Sequence, residues 1–125
     1  MTLQESGENY LETILMLEQE NGFVRSIDIA NRMNYTKASI SRAMGILRDN
    51  GYITMIKNRI QLTEVGRDKA NAVLERHLTI TKYLHDILGI SSENAALDAC
   101  RIEHVICEET FEKIKEAVSN KQQTK

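Results

Sequence analysis

Residues 26–51 read SIDIANRMNYTKASISRAMGILRDNG, and this stretch decides the fold. Its apolar residues recur at helical spacing in two blocks, separated by a polar turn at Asn34-Tyr35. Ser26 and Thr36 each precede one block, in the position where a hydroxyl side chain caps a helix N-terminus. The second block ends at Asn50-Gly51, a pair that commonly closes helices. The stretch therefore predicts two short helices joined by a tight turn, over about residues 27–33 and 37–49.

The second of these helices has one apolar face and one small, polar and basic face. The apolar stripe repeats at i, i+3, i+4 and i+7 and consists of Ile40, Ala43, Met44 and Leu47. Such a pair of helices is typical of the helix-turn-helix, whose second helix enters the DNA major groove. Thr36 and Ser39 can donate to phosphates, and Arg42 can bind a guanine edge or a phosphate. The alternative is an ordinary helical hairpin with a solvated face.

A β-prone hairpin follows the two helices. Residues 52–56 and 60–63 are two short strand-like runs, separated by the charged turn Lys57-Asn58-Arg59. A helix-turn-helix followed by a basic-tipped hairpin is the winged-helix arrangement. We therefore expect the protein to bind double-stranded DNA, with candidate contacts at Arg25, Ser26, Thr36, Lys37, Ser39, Arg42, Lys57 and Arg59.

The charge distribution agrees with this expectation. The chain has a net charge of −2, but residues 25–69 carry nine bases and four acids, between two acidic flanks. This block pattern indicates that a polyanion contacts only the middle of the chain. Chance fluctuation in a solvated surface is the alternative, because charge asymmetry alone is a weak signal.

The whole chain sets further bounds. Its 125 residues can bury a core without disulfides. No apolar run is long enough to cross a bilayer, and the N-terminus does not resemble a signal peptide, so a cytoplasmic location is expected. Cys100 and Cys107, seven residues apart on one helix, would lie roughly 10 Å apart, which is too far for a disulfide. Both are expected to be free thiols, with Cys107 packed.

Helices are also expected on both sides of the winged helix. The first, over about residues 7–21, carries Asn9 and Glu12 on one edge, since they are three residues apart. A long helix over about residues 64–88 carries His77, and its apolar residues spread over more than one face. From the residues alone, Asn9 and Glu12 are interpreted as solvent-facing and His77 as packed.

Residues 100–104, CRIEH, have the composition of a partial metal site. On a helix that begins near Ser91, the side chains of Cys100, Glu103 and His104 stand at i, i+3 and i+4, which places them on one face. Thiolate, carboxylate and imidazole all bind divalent transition metals. Three ligands on one helix seldom close a coordination sphere, so other segments must complete it. The alternative is a small buried cysteine beside an exposed pair.

Several stretches taken together resemble the diphtheria toxin repressor family, in particular its short manganese-regulator branch. In chain order they are residues 8–12 (ENYLE), 26–30 (SIDIA), 62–67 (LTEVGR), 76–77 (RH) and 100–104 (CRIEH). The resemblance implies a mainly α fold. An N-terminal winged helix-turn-helix with a small β-hairpin wing would occupy residues 1–70. A helical metal-binding and dimerisation domain would occupy residues 71–125, without the SH3-like domain of the long branch.

The resemblance also implies a regulatory metal between the first helix, the long helix and the following helix. Carried over by position, its ligands are Asn9, Glu12, His77, Cys100, Glu103 and His104. Glu12 follows the manganese branch and Cys100 the iron branch, whereas Asn9 matches neither. Thr81 and Ala96 stand where the iron branch has an acid and a histidine for an ancillary site. In this hybrid ligand set, a thiolate with imidazoles favours Fe(II) or a later metal over Mn(II). We expect Fe(II), with Mn(II) next and Zn(II) as a third candidate.

The predicted function is that of a homodimeric, metal-dependent transcriptional repressor that binds a DNA operator and controls metal-ion homeostasis. One metal held by both domains would set the separation of the two recognition helices. No membrane and no small-molecule substrate is expected as a partner. The alternatives are a winged-helix regulator that senses another signal and, with less support, a metal-dependent hydrolase, for which the sequence offers no nucleophile–base pair.

Overall fold

The computed structural model describes residues 5–123 and divides into two compact units, with the boundary between Ala72 and Val73. A five-residue π-helical segment, Tyr83–Ile87, follows the fourth helix directly. The regular elements in chain order are α1 Glu5–Asn21, β1 Val24–Arg25, α2 Ser26–Met33, α3 Lys37–Asp49, β2 Ile53–Ile56, β3 Arg59–Leu62, α4 Glu64–Lys82, α5 Ser92–Ile102 and α6 Glu108–Gln123. This mainly helical fold with a small sheet confirms the predicted fold class.

The helix-turn-helix in the first unit is formed by α2 and α3, as predicted. The chain leaves α2 at Asn34, whose φ of 60° and ψ of 44° lie in the left-handed region that asparagine tolerates. Thr36 caps α3, and its hydroxyl oxygen accepts the backbone N–H of Ser39 at 3.1 Å. Ile40, Met44 and Leu47 on the inner face of α3 are at most 2% exposed, which is the apolar stripe that the periodicity predicted.

The predicted cap of α2 is wrong by one residue. Arg25, not Ser26, is the N-cap, and Ser26 is the first residue of the helix. The backbone N–H of Arg25 donates to the Asp28 carboxylate at 2.9 Å. Asp28 therefore provides the capping hydrogen bond from inside the first turn, so the serine hydroxyl is not required for it.

A three-stranded antiparallel sheet with strand order β1-β3-β2 forms the wing. The turn between β2 and β3 consists of Lys57 and Asn58, whose φ angles of 50° and 67° suit a two-residue hairpin turn. Arg59, predicted as part of the turn, is the first residue of β3. Val24 in β1 pairs with Ile60 in β3, and both are buried. Val24–Arg25 therefore adds a third strand to the predicted hairpin.

Two further contacts stabilise the first unit. Glu18 of α1 accepts a two-armed hydrogen bond from Arg67 of α4, at 2.7 Å and 3.0 Å. Gly66 lies against the strand entry, since a Cβ added there would stand 1.9 Å from the carbonyl oxygen of Tyr52. The first turn of α4 is thus fixed to both α1 and the start of β2, and only glycine fits at position 66.

The second unit has its own apolar core, formed by Ile80, Leu84, Ala95, Ala99 and Phe111. The prediction of one regular helix to Leu88 is wrong, because α4 ends at Lys82. In the π-helical segment the N–H of Leu88 donates to the carbonyl of Tyr83 at 3.3 Å, which inserts one extra residue into the turn. The helix predicted to begin near Ser91 is α5, and Ser91 is its N-cap, with a hydroxyl that accepts the N–H of Asn94 at 3.3 Å.

The end of α5 differs from the sequence prediction. The helix stops at Ile102, and the N–H of Val105 donates to the Ile102 carbonyl at 3.0 Å in a tight turn. Cys100, Glu103 and His104 therefore do not share one face of a regular helix, because Glu103 is the C-cap and His104 lies in the turn. Cys107 is exposed rather than packed, with its sulfur 3.4 Å from the Thr110 hydroxyl at the start of α6.

Among the described residues, no helix combines the length and apolar character that a membrane crossing needs.

Candidate metal centre and nucleic-acid interface

The outward face of α3 is open to solvent. Lys37, Ser39 and Arg42 are exposed along it, with Thr36 at its N-terminus. The Thr36 hydroxyl donates to the Ser39 hydroxyl at 2.9 Å while accepting the Ser39 N–H. The two side chains predicted to contact phosphates are thus hydrogen-bonded to each other. A phosphate oxygen would have to replace the Ser39 hydroxyl as the acceptor of the Thr36 hydroxyl proton.

The other predicted DNA contacts lie on the wing and at the start of α2. Lys57, Arg59 and Arg25 are exposed, whereas Ser26 is half-buried. Arg25 also lies 3.5 Å from the Asp28 carboxylate, with its side chain 52% exposed. The structure therefore leaves seven of the eight predicted DNA contacts on the surface of the first unit, and only Ser26 is partly covered.

The α1 candidates for metal binding differ in burial. Glu12 is only 9% exposed, and Asn9, one turn earlier, is half-buried. The interpretation of Glu12 as a solvent-facing residue is therefore wrong. The residues beside it, Leu11 and Ile14, are fully buried, so α1 holds the carboxylate at the edge of an apolar face. A buried carboxylate is costly unless it is hydrogen-bonded or paired with positive charge.

In the second unit, Glu103 lies between two imidazoles. Its Oε2 is 3.0 Å from Nδ1 of His77, and its Oε1 is 3.2 Å from Nε2 of His104. The side chains of Glu103 and His104 are 0% and 1% exposed, and that of His77 is 23% exposed. Both imidazoles can be neutral, so neither is a permanent positive charge that balances the buried carboxylate.

This donor set fits a divalent transition metal. Carboxylate oxygen and imidazole nitrogen are ligands for iron, manganese and zinc, and a thiolate adds preference for the later metals. Cys100 stands one turn before Glu103 in α5 and is half-buried. A cation would replace the hydrogen bond between His77 and Glu103 and would neutralise the buried charge. Within the second unit, the structure thus brings together His77, Glu103 and His104.

The ancillary position also has a structural explanation. The Thr81 hydroxyl donates to the carbonyl of His77 one turn earlier in α4, at 2.7 Å. A threonine bonded to its own helix has one neutral oxygen to offer where the resemblance expects a carboxylate. This supports the expectation that the second site of the iron branch is not retained.

Sequence reasoning missed Arg76 as a residue of this centre. Its Nη2 donates to the carbonyl of Ile106 at 2.9 Å, and its guanidinium carbon lies 5.1 Å from the centre of the Phe111 ring. Arg76 thereby holds the turn that follows Glu103 against the helix that carries His77. Arg76 was part of the matching stretch 76–77, next to His77. Neither the match nor the adjacency predicts which groups its side chain contacts.

The family models of the iron-dependent repressors match both halves of the chain. The N-terminal DNA-binding domain matches residues 2–59, and the metal-binding and dimerisation domain matches residues 63–124. Together the two models extend over almost the whole chain, and their order is that of the two structural units.

Individual relatives agree with the family models. The uncharacterized HTH-type transcriptional regulator MJ0568 of Methanocaldococcus jannaschii is 30% identical over 90% of this chain and 92% of its own length. The iron-dependent repressor IdeR of Mycobacterium tuberculosis is also 30% identical, over 94% of this chain. The chain spans 52% of that repressor's length. A crystal structure of T. acidophilum IdeR superimposes with a TM-score of 0.81 at 27% identity, over 95% of this chain and 55% of that one.

Proposed function

The chain belongs to the iron-dependent repressor family, and we propose that it is a homodimeric repressor that binds operator DNA when it holds a divalent transition metal. Family members are transcriptional repressors, so the chain is not an enzyme, and the hydrolase alternative is removed. The regulated genes would be those of metal-ion homeostasis. We place the protein in the cytoplasm because a repressor must reach the chromosome.

The observation that carries this proposal is the buried carboxylate of Glu103 between His77 and His104. Removing a carboxylate from water costs several kcal/mol unless positive charge and hydrogen bonds replace its hydration. The His77 imidazole is hydrogen-bonded to this carboxylate, but an imidazole carries charge only when it is protonated. A divalent cation supplies the missing charge at any pH where the carboxylate is ionised, so the second unit is suited to bind one.

We propose that the full ligand set is Asn9, Glu12, His77, Cys100, Glu103 and His104. The burial of Glu12 supports its inclusion, because a carboxylate held at an apolar edge is itself a good cation ligand. When bound, the metal would supply a divalent charge to these ligands. A thiol together with imidazoles favours Fe(II) or a later metal over Mn(II), and we propose Fe(II) first, with Mn(II) next and Zn(II) third.

The proposed consequence for DNA binding is a matter of coupling between sites. In a dimer, the two α3 helices must reach half-sites about 34 Å apart, one turn of the double helix. A coupling free energy of about 1–3 kcal/mol between metal and DNA binding suffices for regulation. The bases Arg25, Lys37, Arg42, Lys57 and Arg59 would bind the duplex, together with the hydroxyls of Ser26, Thr36 and Ser39.

A metal titration of the purified apo-protein under anaerobic conditions tests this function. The probe is a duplex selected from a randomised library with Mn(II)-loaded protein, and the readout is duplex affinity by gel shift. Metal should raise that affinity about 5- to 150-fold in the wild type. Glu103→Ala and His104→Ala should lose this gain while remaining folded dimers.

The matched control is Glu116→Ala in α6, an exposed glutamate paired with Lys113 at 3.5 Å. It should keep the full metal response. An unchanged response in Glu103→Ala would contradict the proposed centre. If equilibrium dialysis finds no stoichiometric metal while the duplex still binds, the protein is a winged-helix regulator of another signal.

A further inference from the structure

Phe23 is an exposed aromatic side chain between α1 and β1, and two arginines lie over it. The ring is 41% exposed, which is unusual for a phenylalanine with a core role. The guanidinium carbon of Arg59 lies 5.0 Å from the ring centre, and that of Arg25 lies 5.7 Å away. Both distances are within the range of cation–π attraction, so the ring serves as a platform for two positive charges.

The sheet register brings these two charges together. Arg25 in β1 is the direct partner of Arg59 in β3. Like charges directly opposite each other on neighbouring strands are destabilising. Asp28 offsets Arg25 only in part, at 3.5 Å, and none of the ion pairs between described residues includes Arg59. The pair is therefore a local concentration of positive charge that an anion would relieve.

We propose that Arg25 and Arg59 bind one phosphodiester group of duplex DNA together, and that Phe23 is the positioning residue that holds them for it. A guanidinium stacked on a ring keeps its N–H groups at the edge, and these match the oxygens of a phosphate. Arg59 is the first residue of β3, and Arg25 is the N-cap of α2. The phosphate clamp formed by Arg25, Arg59 and Phe23 therefore joins the wing to the helix-turn-helix. The inference rests on the proposed DNA binding of this unit.

The test is a double-mutant cycle read as duplex affinity against salt, by fluorescence anisotropy at low ionic strength. A non-specific duplex serves as the probe, so that neither metal nor operator sequence is required. Arg25→Gln and Arg59→Gln together should reduce the slope of log affinity against log salt by about one, and the two single changes should not add, because both arginines contact the same phosphate. Phe23→Leu keeps an apolar side chain but removes the ring, and should weaken binding about two- to fivefold.

The decisive comparison is Phe23→Leu in the background that already lacks both arginines, where it should have no further effect on affinity. Phe23→Tyr keeps the ring and should bind as the wild type does. Lys113→Gln, which removes one exposed charge from the second unit, should leave the salt slope unchanged. Melting temperatures of all variants show that each is folded, and Phe23→Met replaces the leucine variant if that one is not.

Three outcomes would overturn the inference. The first is an equal loss of affinity from Phe23→Leu with and without the arginines, which would make the ring merely structural. The second is no loss in either background. The third is saturable binding of inorganic phosphate at constant ionic strength with the affinity seen for duplex, which would assign the clamp to a free anion. Loss of metal response with an intact cycle would instead count against the proposed regulation alone.

Discussion

Glu18 in the first unit and Glu103 in the second each contact a residue far along the chain, but their surroundings differ. Glu18 pairs with the permanent cation of Arg67, and both side chains keep contact with water, at 26% and 43% exposure. Glu103 is fully buried and faces two imidazoles. Within the first unit, a permanent cation thus balances the charge of Glu18. Neither imidazole beside Glu103 is a permanent cation, and the proposed metal site rests on this observation.

The largest effect expected from this difference is on metal-dependent stability. At a free Mn(II) concentration 1,000 times its dissociation constant, the free energy of unfolding should rise by about 4 kcal/mol. In Glu103→Gln, a 100-fold weaker affinity would leave about 1.4 kcal/mol at the same concentration. Thermal denaturation with and without Mn(II) measures both values. Glu18→Gln is the control and should keep the wild-type response; an equal loss there would remove the contrast between the two carboxylates.

A second effect should appear in the first unit without any metal. Gly66→Ala would place a Cβ against the backbone carbonyl of Tyr52 and should destabilise the protein by about 3 kcal/mol. Gly45→Ala in α3 is the matched variant, because its added Cβ meets only a flexible arginine atom at 3.9 Å. It should stabilise the protein by about 0.5–1 kcal/mol. Urea denaturation of the apo-protein checks both, and similar effects from both would show that the contact at Gly66 is not needed.

The ion pair of the first unit should contribute less. Glu18→Gln removes a partly exposed pair and should cost about 0.5–1 kcal/mol, less at high salt. The hydrogen bond to Glu18 raises the pKa of Arg67 above its ordinary value. Because the pKa of Arg67 is higher in the folded than in the unfolded protein, its contribution to stability is fully present at any pH below the unfolded-state pKa. That contribution is lost only in strong alkali, as the pH rises through the folded-state pKa. The cost of the substitution should therefore be the same at about pH 6 and pH 9; a large change between them would indicate another titrating group.

The smallest expected effect concerns the chemistry of one thiol. A hydrogen bond from Thr110 is the main cause that lowers the pKa of Cys107 below its ordinary value. A lowered pKa favours the thiolate. The contribution of Cys107 to stability is therefore present at a pH above its unfolded-state pKa and is lost as the pH falls through its folded-state pKa. Iodoacetamide should therefore modify Cys107 at a lower pH than an ordinary thiol. Thr110→Val should move the midpoint of the pH–rate curve to higher pH. An unshifted curve in Thr110→Val would contradict this assignment.

The regular parts of the fold could be predicted because local rules determine them. Thr36 and Ser91 are caps with hydroxyl acceptors, and the stripe from Ile40 to Leu47 follows the helical period. These features depend on residues within one or two turns of each other. The wing could also be predicted, since two β-prone runs flank a turn of polar residues.

The parts that could not be predicted depend on contacts between distant residues. β1 forms because Val24 pairs with Ile60, which is far along the chain. The end of α5 at Ile102 places Glu103 and His104 beyond the helix. The burial of Glu12 was likewise hidden, because a glutamate on a helix edge is solvent-facing by default. The resemblance, rather than the spacing, indicated these residues. Their assignment as metal ligands remains a proposal.

The π-helical segment Tyr83–Ile87 constrains how this protein can evolve. One residue more in a turn rotates all that follows by about 100° around the helix axis. Ile90, which packs against the core of the second unit just after the segment, depends on that rotation. Deleting one residue there would restore a regular helix and yet direct Ile90 away from the core. Descendants of this sequence can therefore exchange side chains in the segment more readily than they can shorten it.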